Sequence, residues 1–296
     1  MMSELILVRT KLNMTKSLYT IMHFTAKHLR WLLKQARDHR TKTIIQQWEK
    51  KVKLAKNRNT TVFFNVTKRF PLRLGYWKIW LNGENPFYSI KAYTGIFREN
   101  EHCKVPDFPS KNDLTILDLG ANEGFFTLRV REMAPEARII AVEPNISAFQ
   151  VLKKNVESNR LKNIIIINKA ITSRTGKIVF EIVRGHTSVG GLKVYKKYRH
   201  KGQLKRIIVS SITLERLCEL HAIKGIDLLK MDVEGSELEI LESSRKILPN
   251  VKKVVIEYHE NRKSVKELMV KNNFTVERME RKKYCGDIYF RNNFSA

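Results

Sequence analysis

Along this chain, short apolar runs alternate with stretches whose apolar residues recur every three or four positions. Leu114–Leu117 and Ala137–Val142 read as strands, as does NIIIIN at Asn163–Asn168, whose continuous apolar run suits burial on both faces. Glu123–Met133 and Ser147–Ser158, lying between them, carry the helical period. Strand, helix, strand, helix, strand is the order of a parallel, doubly wound α/β sheet, which binds ligands at the carboxyl ends of its strands. The alternation lapses at Gly176–Val183 and Ile207–Ile212, strand-like segments around an irregular insertion. It resumes with a helix at Thr213–His221, a strand at Ile226–Met231, and Lys230–Leu241 running into another helix. A strand at Val254–Tyr258, a helix at Ser264–Asn272 and a terminal pair, Phe274–Met279 and Tyr284–Arg291, complete the pattern.

Candidate chemistry gathers at the strand ends. In LTILDLGANEGFF, Leu114–Phe126, an acid at Asp118 precedes Gly120 and Gly124, which bracket Ala121 and Asn122. Glycines at a strand-to-helix turn let a ligand approach backbone N–H groups, and the helix dipole favours an anionic group there. The next strand ends at Glu143-Pro144, nineteen residues beyond Gly124, a spacing at which an acid reaches the ribose hydroxyls of a nucleotide-like cofactor. The glycines are spaced G-x-x-x-G, so the pyrophosphate fingerprint of nicotinamide and flavin binders is missing. Asn168 and Ala170 close the third strand. Asp232 and Glu234 follow the strand ending at Met231, and Glu257 and His259 reach the same rim from the next. Asp232 and His259 are the best-placed general bases, and His259 is favoured because an unperturbed imidazole titrates near neutrality and it shares this rim with the three acids. A divalent ion on Asp232 with Glu257 or His259 is the second mechanism, but no compact ligand motif compels it and a metal-free reaction is expected first.

These segments resemble the FkbM family of S-adenosylmethionine (SAM) methyltransferases. The resemblance rests on DLGANEG, the following EP, IDLLKMDVEGSELEIL and VVIEYHE, in order, and runs from about Asn112 to Tyr289. It implies a class I, Rossmann-like, seven-stranded sheet and transfer of a methyl group to a hydroxyl oxygen on a sugar, glycan or other small-molecule scaffold. Asp118, Gly120, Asn122, Gly124 and Glu143, with Ala121, Pro144, Asn168 and Ala170, would then hold SAM. Asp232 and Glu234, with Glu257 and His259, would line the reaction centre.

Charge changes the picture at the margins. The chain has 296 residues and a formal net charge of +27, which favours anionic partners. Residues 1–60 hold fourteen Lys and Arg against three acids. Leu18, Ile21, Met22, Leu29, Leu32, Leu33 and Ala36 form one helical stripe, and Ile44, Ile45, Trp48 and Val52 a second, so the extension is expected to be two basic amphipathic helices. Their apolar faces either pack on the main domain or dock on an acidic membrane or RNA. Residues 61–111 are rich in aromatics and expected to be strand-like, covering the site, with Tyr93, Glu99 and Glu101 as further candidates. Residues 112–296 form the cofactor domain. Residues 193–206 hold seven bases interleaved with Tyr195 and Tyr198, a solvated loop or a binding strip for an anionic substrate.

RNA methylation is the rival activity, and a non-catalytic docking module on the same fold the rival class. The turn after Met231 lacks the Asn/Asp-Pro-Pro-aromatic motif of exocyclic-amino methyltransferases. Three cysteines without metal-ligand spacing argue against a disulfide framework or zinc site. No run reaches the roughly 18 apolar residues of a membrane span, so a cytoplasmic protein, peripheral to the membrane through its basic segments, is expected.

Overall fold

The computed structural model describes residues 28–58, 71–82, 86–108, 113–183, 186–191, 204–259, 261–281 and 285–294. The chain divides into two compact units, Met1–Phe64 with Arg73–Tyr76, and Asn65–Leu72 with Trp77–Ala296.

In the first unit, residues 28–35 are helical and a second helix spans His39–Arg58. Asp38 caps the second, its Oδ1 accepting from Thr41 N at 2.9 Å. Leu29, Leu32, Ala36, Ile45 and Trp48 are buried, while Arg30, Lys34, Arg37, Arg40 and Lys42 are exposed. Leu33 and Ile44, the other members of the two expected stripes within residues 28–50, are half-buried. The part of the first stripe before residue 28 lies outside the described residues.

The second unit is built on a seven-stranded sheet. Its strands are β3 (Thr115–Leu119), β4 (Arg138–Val142), β5 (Ile164–Ile167), β10 (Ile226–Met231), β11 (Val251–Tyr258), β12 (Phe274–Met279) and β13 (Gly286–Asn292), in the order β12-β13-β11-β10-β3-β4-β5. β11, β10, β3, β4 and β5 run parallel, and β13 runs antiparallel between β11 and β12. From β3 the chain winds outward through β4 to β5, then returns to β10 on the other flank of β3. This reversal opens a crevice between the carboxyl ends of β3 and β10, the ordinary ligand site of a doubly wound sheet. Adjacent residues of the central strands point to opposite faces and are buried alike, Ile116 with Leu117, Ile139 with Ile140 and Leu228 with Leu229, so both faces of the sheet are covered. β5 departs from expectation. It is the edge strand, and all four of its isoleucines are only half-buried.

The insertion forms a separate four-stranded sheet of β6 (Ala170–Ile171), β7 (Gly176–Val183), β8 (His186–Gly191) and β9 (Leu204–Ile212), ordered β6-β9-β7-β8. Most of the basic run 193–206 lies outside the described residues.

The aromatic segment before β3 also differs from its expected strand character. Among its described residues only Leu72–Leu74 (β1) and Trp77–Ile79 (β2) are strands, and Pro86–Glu99 is a helix. Its buried Ile90, Tyr93 and Ile96 recur every third residue, a helical spacing that the surrounding aromatics concealed. Within the second unit, the part of the segment from Trp77 on is held by polar contacts. Asn155 Oδ1 accepts from Trp80 N at 2.7 Å, Asn155 Nδ2 donates to Glu123 O at 2.8 Å, and Ser89 Oγ donates to Glu123 Oε1 at 2.7 Å.

Candidate active site

The glycine turn after β3 is built as its residue types require. Gly120 has φ +76° and Gly124 φ +83°, left-handed values that L side chains rarely adopt. A Cβ on Gly120 would lie 1.8 Å from Asp232 O, so this turn and the one after β10 touch backbone to backbone. Asn122, between them, also has positive φ, at +49°. The helix Phe125–Met133 starts directly after Gly124.

A cleft of about 650 Å³, open to solvent, lies over the ends of β3, β4 and β10. Gly120, Asn122, Glu143, Pro144, Ala170, Asp232 and Glu234 line it, all expected from the sequence, joined by Lys169 and Phe180, which were not. Glu143 is held in place by backbone N–H groups: Oε2 accepts from Asn122 N at 2.8 Å and Oε1 from Asn145 N at 2.7 Å. Burial pushes its carboxyl up to about 7, with those two N–H donors pulling the other way. Asn168 is a support of that acid and does not line the cleft; its Nδ2 donates to Glu143 O and Pro144 O at 2.8 and 3.1 Å.

Asp118 is placed differently from the sequence expectation. It is fully buried below the turn, with Oδ1 3.1 Å from Lys230 Nζ and Oδ2 accepting from Thr127 Oγ1 at 2.7 Å. Lys230 Nζ also donates to Gly120 O at 2.7 Å and lies 3.9 Å from Asp232 Oδ2. Burial opposes its charge, but Asp118 and Asp232 raise its pKa above the ordinary value. Asp118 thus locks the turn through Lys230. Ala121 is buried and Gly124 serves as helix N-cap, so neither lines the cleft. Tyr93 is also off it, packed between Phe97 and Phe125, and Glu99 and Glu101 are not among the lining residues.

Asp232 and Glu234, on the cleft, converge with His259, and Asp232 with Glu257, as expected. Burial raises Asp232, yet Lys230, His102 and His259 together hold it below the usual carboxylate range. Burial and the Asp232 charge push Glu257 up to about 8. His259 is the departure. Its Nε2 lies 3.3 Å from Glu234 Oε2 and its Nδ1 3.4 Å from Glu237 Oε1. Burial would lower its pKa, but these two acids carry it up to about 12. An imidazolium clamped this way has no lone pair for a proton, so His259 is not suited to the role of base.

His102 and Asp287 escaped the sequence reading. His102, at φ +58°, donates its backbone N–H to Asp287 Oδ2 at 3.0 Å, and its Nδ1 lies 2.9 Å from Asp287 Oδ1. Its Nε2 lies 3.8 Å from Asp232 Oδ2. The two partners are 185 residues apart, and no local motif announces them.

Residues 118–286 match the family described as the Methyltransferase FkbM domain. The 2-O-methyltransferase NoeI of Sinorhizobium fredii is 26% identical over 167 residues, spanning 53% of this chain and 68% of that protein. The hexuronic acid methyltransferase AglP of Haloferax volcanii is 27% identical over 151 residues, spanning 51% of this chain and 58% of that protein. Among solved structures, the methyltransferase FkbM of Methylobacillus flagellatus superposes with a TM-score of 0.42 at 11% identity, covering 92% of this chain and 60% of that one. With more than half its length matched from the end of β3 to the start of β13, the chain belongs to the FkbM methyltransferase family.

Proposed function

We propose that this protein transfers a methyl group from SAM to a hydroxyl oxygen on a sugar, glycan or related small-molecule scaffold. The carrying observation is the cleft itself, which is lined by Gly120 and Asn122 of the glycine turn and by Glu143, together with Asp232 and Glu234. The named activities of NoeI, a 2-O-methyltransferase, and AglP, a hexuronic acid methyltransferase, support a sugar hydroxyl as acceptor.

The residues fit the cofactor. Glu143 lies on the cleft wall with its carboxylate oriented by two N–H groups, an acceptor suited to ribose hydroxyls. Asn122 Oδ1 is buried without a hydrogen-bond partner, an unmet acceptor beside the cleft. Bound SAM supplies a methyl on a sulfonium, whose sulfur keeps the bonding electron pair when the methyl leaves. The chain must align the acceptor oxygen with that methyl and exclude water. Asp232, kept below the usual carboxylate range chiefly by Lys230, accepts the hydroxyl hydrogen and takes the proton as the oxygen–carbon bond forms. The backbone contact between Gly120 and Asp232 fixes the spacing of the donor and acceptor sides.

The test is calorimetric titration of SAM into the full chain, followed by transfer of a labelled methyl from SAM to uronic-acid-containing oligosaccharides, with RNA in parallel. Micromolar SAM binding lost in Glu143→Ala, with label entering the oligosaccharide, is the expected result. A folded wild type that binds no SAM, or label entering RNA alone, would overturn the proposal.

A further inference from the structure

We propose that His102, Asp232 and Glu257 form a divalent-cation site beside the cleft. The inference rests on the methyltransferase reading for its purpose and on geometry for its existence.

One ligand atom from each of the three residues lies within 4.8 Å of the others, close enough to share one ion. His102 is built as a ligand. A carboxylate can only accept, so Nδ1 carries the hydrogen that Asp287 Oδ1 receives at 2.9 Å, and Nε2 is turned toward Asp232. Carboxylate, imidazole and metal in line is the usual support of a ligating histidine, since the outer acid fixes both tautomer and ring orientation. Asp287 is secured in turn by His102 N at 3.0 Å and by Tyr289 Oη at 3.2 Å.

The acids supply the second argument. Asp232 Oδ1 is buried with no donor hydrogen directed at it. A Glu257 carboxylate oxygen lies within 4.8 Å of one from Asp232. Two carboxyl groups so placed need either a shared proton or a cation between them.

A competing triad of Asp232, Glu234 and His259 has the same spread. It is the poorer site because its outer acid is farther away, Glu237 at 3.4 Å from His259 Nδ1 against Asp287 at 2.9 Å from His102 Nδ1, and because Glu234 at 3.3 Å from His259 Nε2 leaves less room for an ion than the 3.8 Å between His102 Nε2 and Asp232.

One imidazole and two carboxylates suit an ion of intermediate hardness such as Mn²⁺. Such an ion would hold the acceptor hydroxyl and lower its pKa, leaving an Asp232 oxygen to take the proton.

The experiment is Mn²⁺ titration of the chelator-treated full chain by calorimetry, with free Mn²⁺ followed by electron paramagnetic resonance. A single site is expected. Kd should rise at least about tenfold in His102→Gln and in Glu257→Gln, rise about 10- to 100-fold in Asp287→Asn, and stay within about threefold in His259→Gln. Thermal melts of each variant show that loss of binding is not loss of fold, and Glu257→Gln alone suffices if His102→Gln fails to fold. A wild type that takes up no Mn²⁺, or a site lost in His259→Gln and kept in His102→Gln, would overturn the inference. SAM titration without metal separates the two readings. Retained SAM binding with no Mn²⁺ uptake refutes the cation site alone, whereas absent SAM binding refutes the methyltransferase reading.

Discussion

Asp118→Asn separates a structural acid from a cofactor ligand. Asn is nearly isosteric and keeps both contacts by presenting its carbonyl to Lys230 and its amide to Thr127, so the substitution removes charge and little else. At 3.1 Å and an effective dielectric constant of about 20, the lost attraction is roughly 5 kcal/mol. Relief of the carboxylate's own desolvation offsets part of it, and breaking one side of a buried pair costs about 3–5 kcal/mol. Lys230 keeps Asp232 at 3.9 Å, which places the cost near the lower end, about 3 kcal/mol. Urea denaturation of wild type, Asp118→Asn, Lys230→Met and the double variant measures it. The double variant should lose less than the sum of the single ones, with a coupling of about 2 kcal/mol or more, because it leaves no uncompensated ammonium in the core. A cost below about 1 kcal/mol for Asp118→Asn, or strictly additive losses, would refute the argument.

Asp232→Asn should lower the methyl-transfer rate by roughly a hundredfold or more while SAM titrations change little, since it removes the proton acceptor and leaves the Glu143 wall intact. Gly120→Ala should destabilise the protein by about 2–4 kcal/mol in urea melts, combining left-handed backbone strain with a Cβ 1.8 Å from Asp232 O. Glu143 gives a pH signature. Its folded pKa of about 7 exceeds the ordinary 4.5, so the unfolded chain releases the proton first and stability falls as pH rises between those values. Melts across that window should show a decline of at most about 3 kcal/mol from this group, absent in Glu143→Gln. SAM binding near pH 6.5 should also release a proton, seen as a dependence of binding heat on buffer, because ribose hydroxyls favour the carboxylate.

The sequence determined the parts of this protein whose causes are local. Left-handed glycines at 120 and 124, an apolar strand before them, and Glu143-Pro144 at the end of the next strand specify a doubly wound sheet and a cleft at its strand ends. Period and turn chemistry act over a few residues and can be read directly. Pro86–Glu99 was misread because aromatics suit strand and helix alike, and only packing revealed which face was buried. Tertiary structure alone decided what each site acid does. Asp118 turned inward because Lys230, 112 positions later, stands on the neighbouring strand in register with it. His259 lost its role as a base because Glu234 and Glu237 close on both its nitrogens. His102 entered the site because Asp287, on the strand paired with β11, orients its ring. Charge, burial and hydrogen bonding at a site depend on neighbours the chain brings from far away, so the positions of these residues are legible in sequence long before their protonation is.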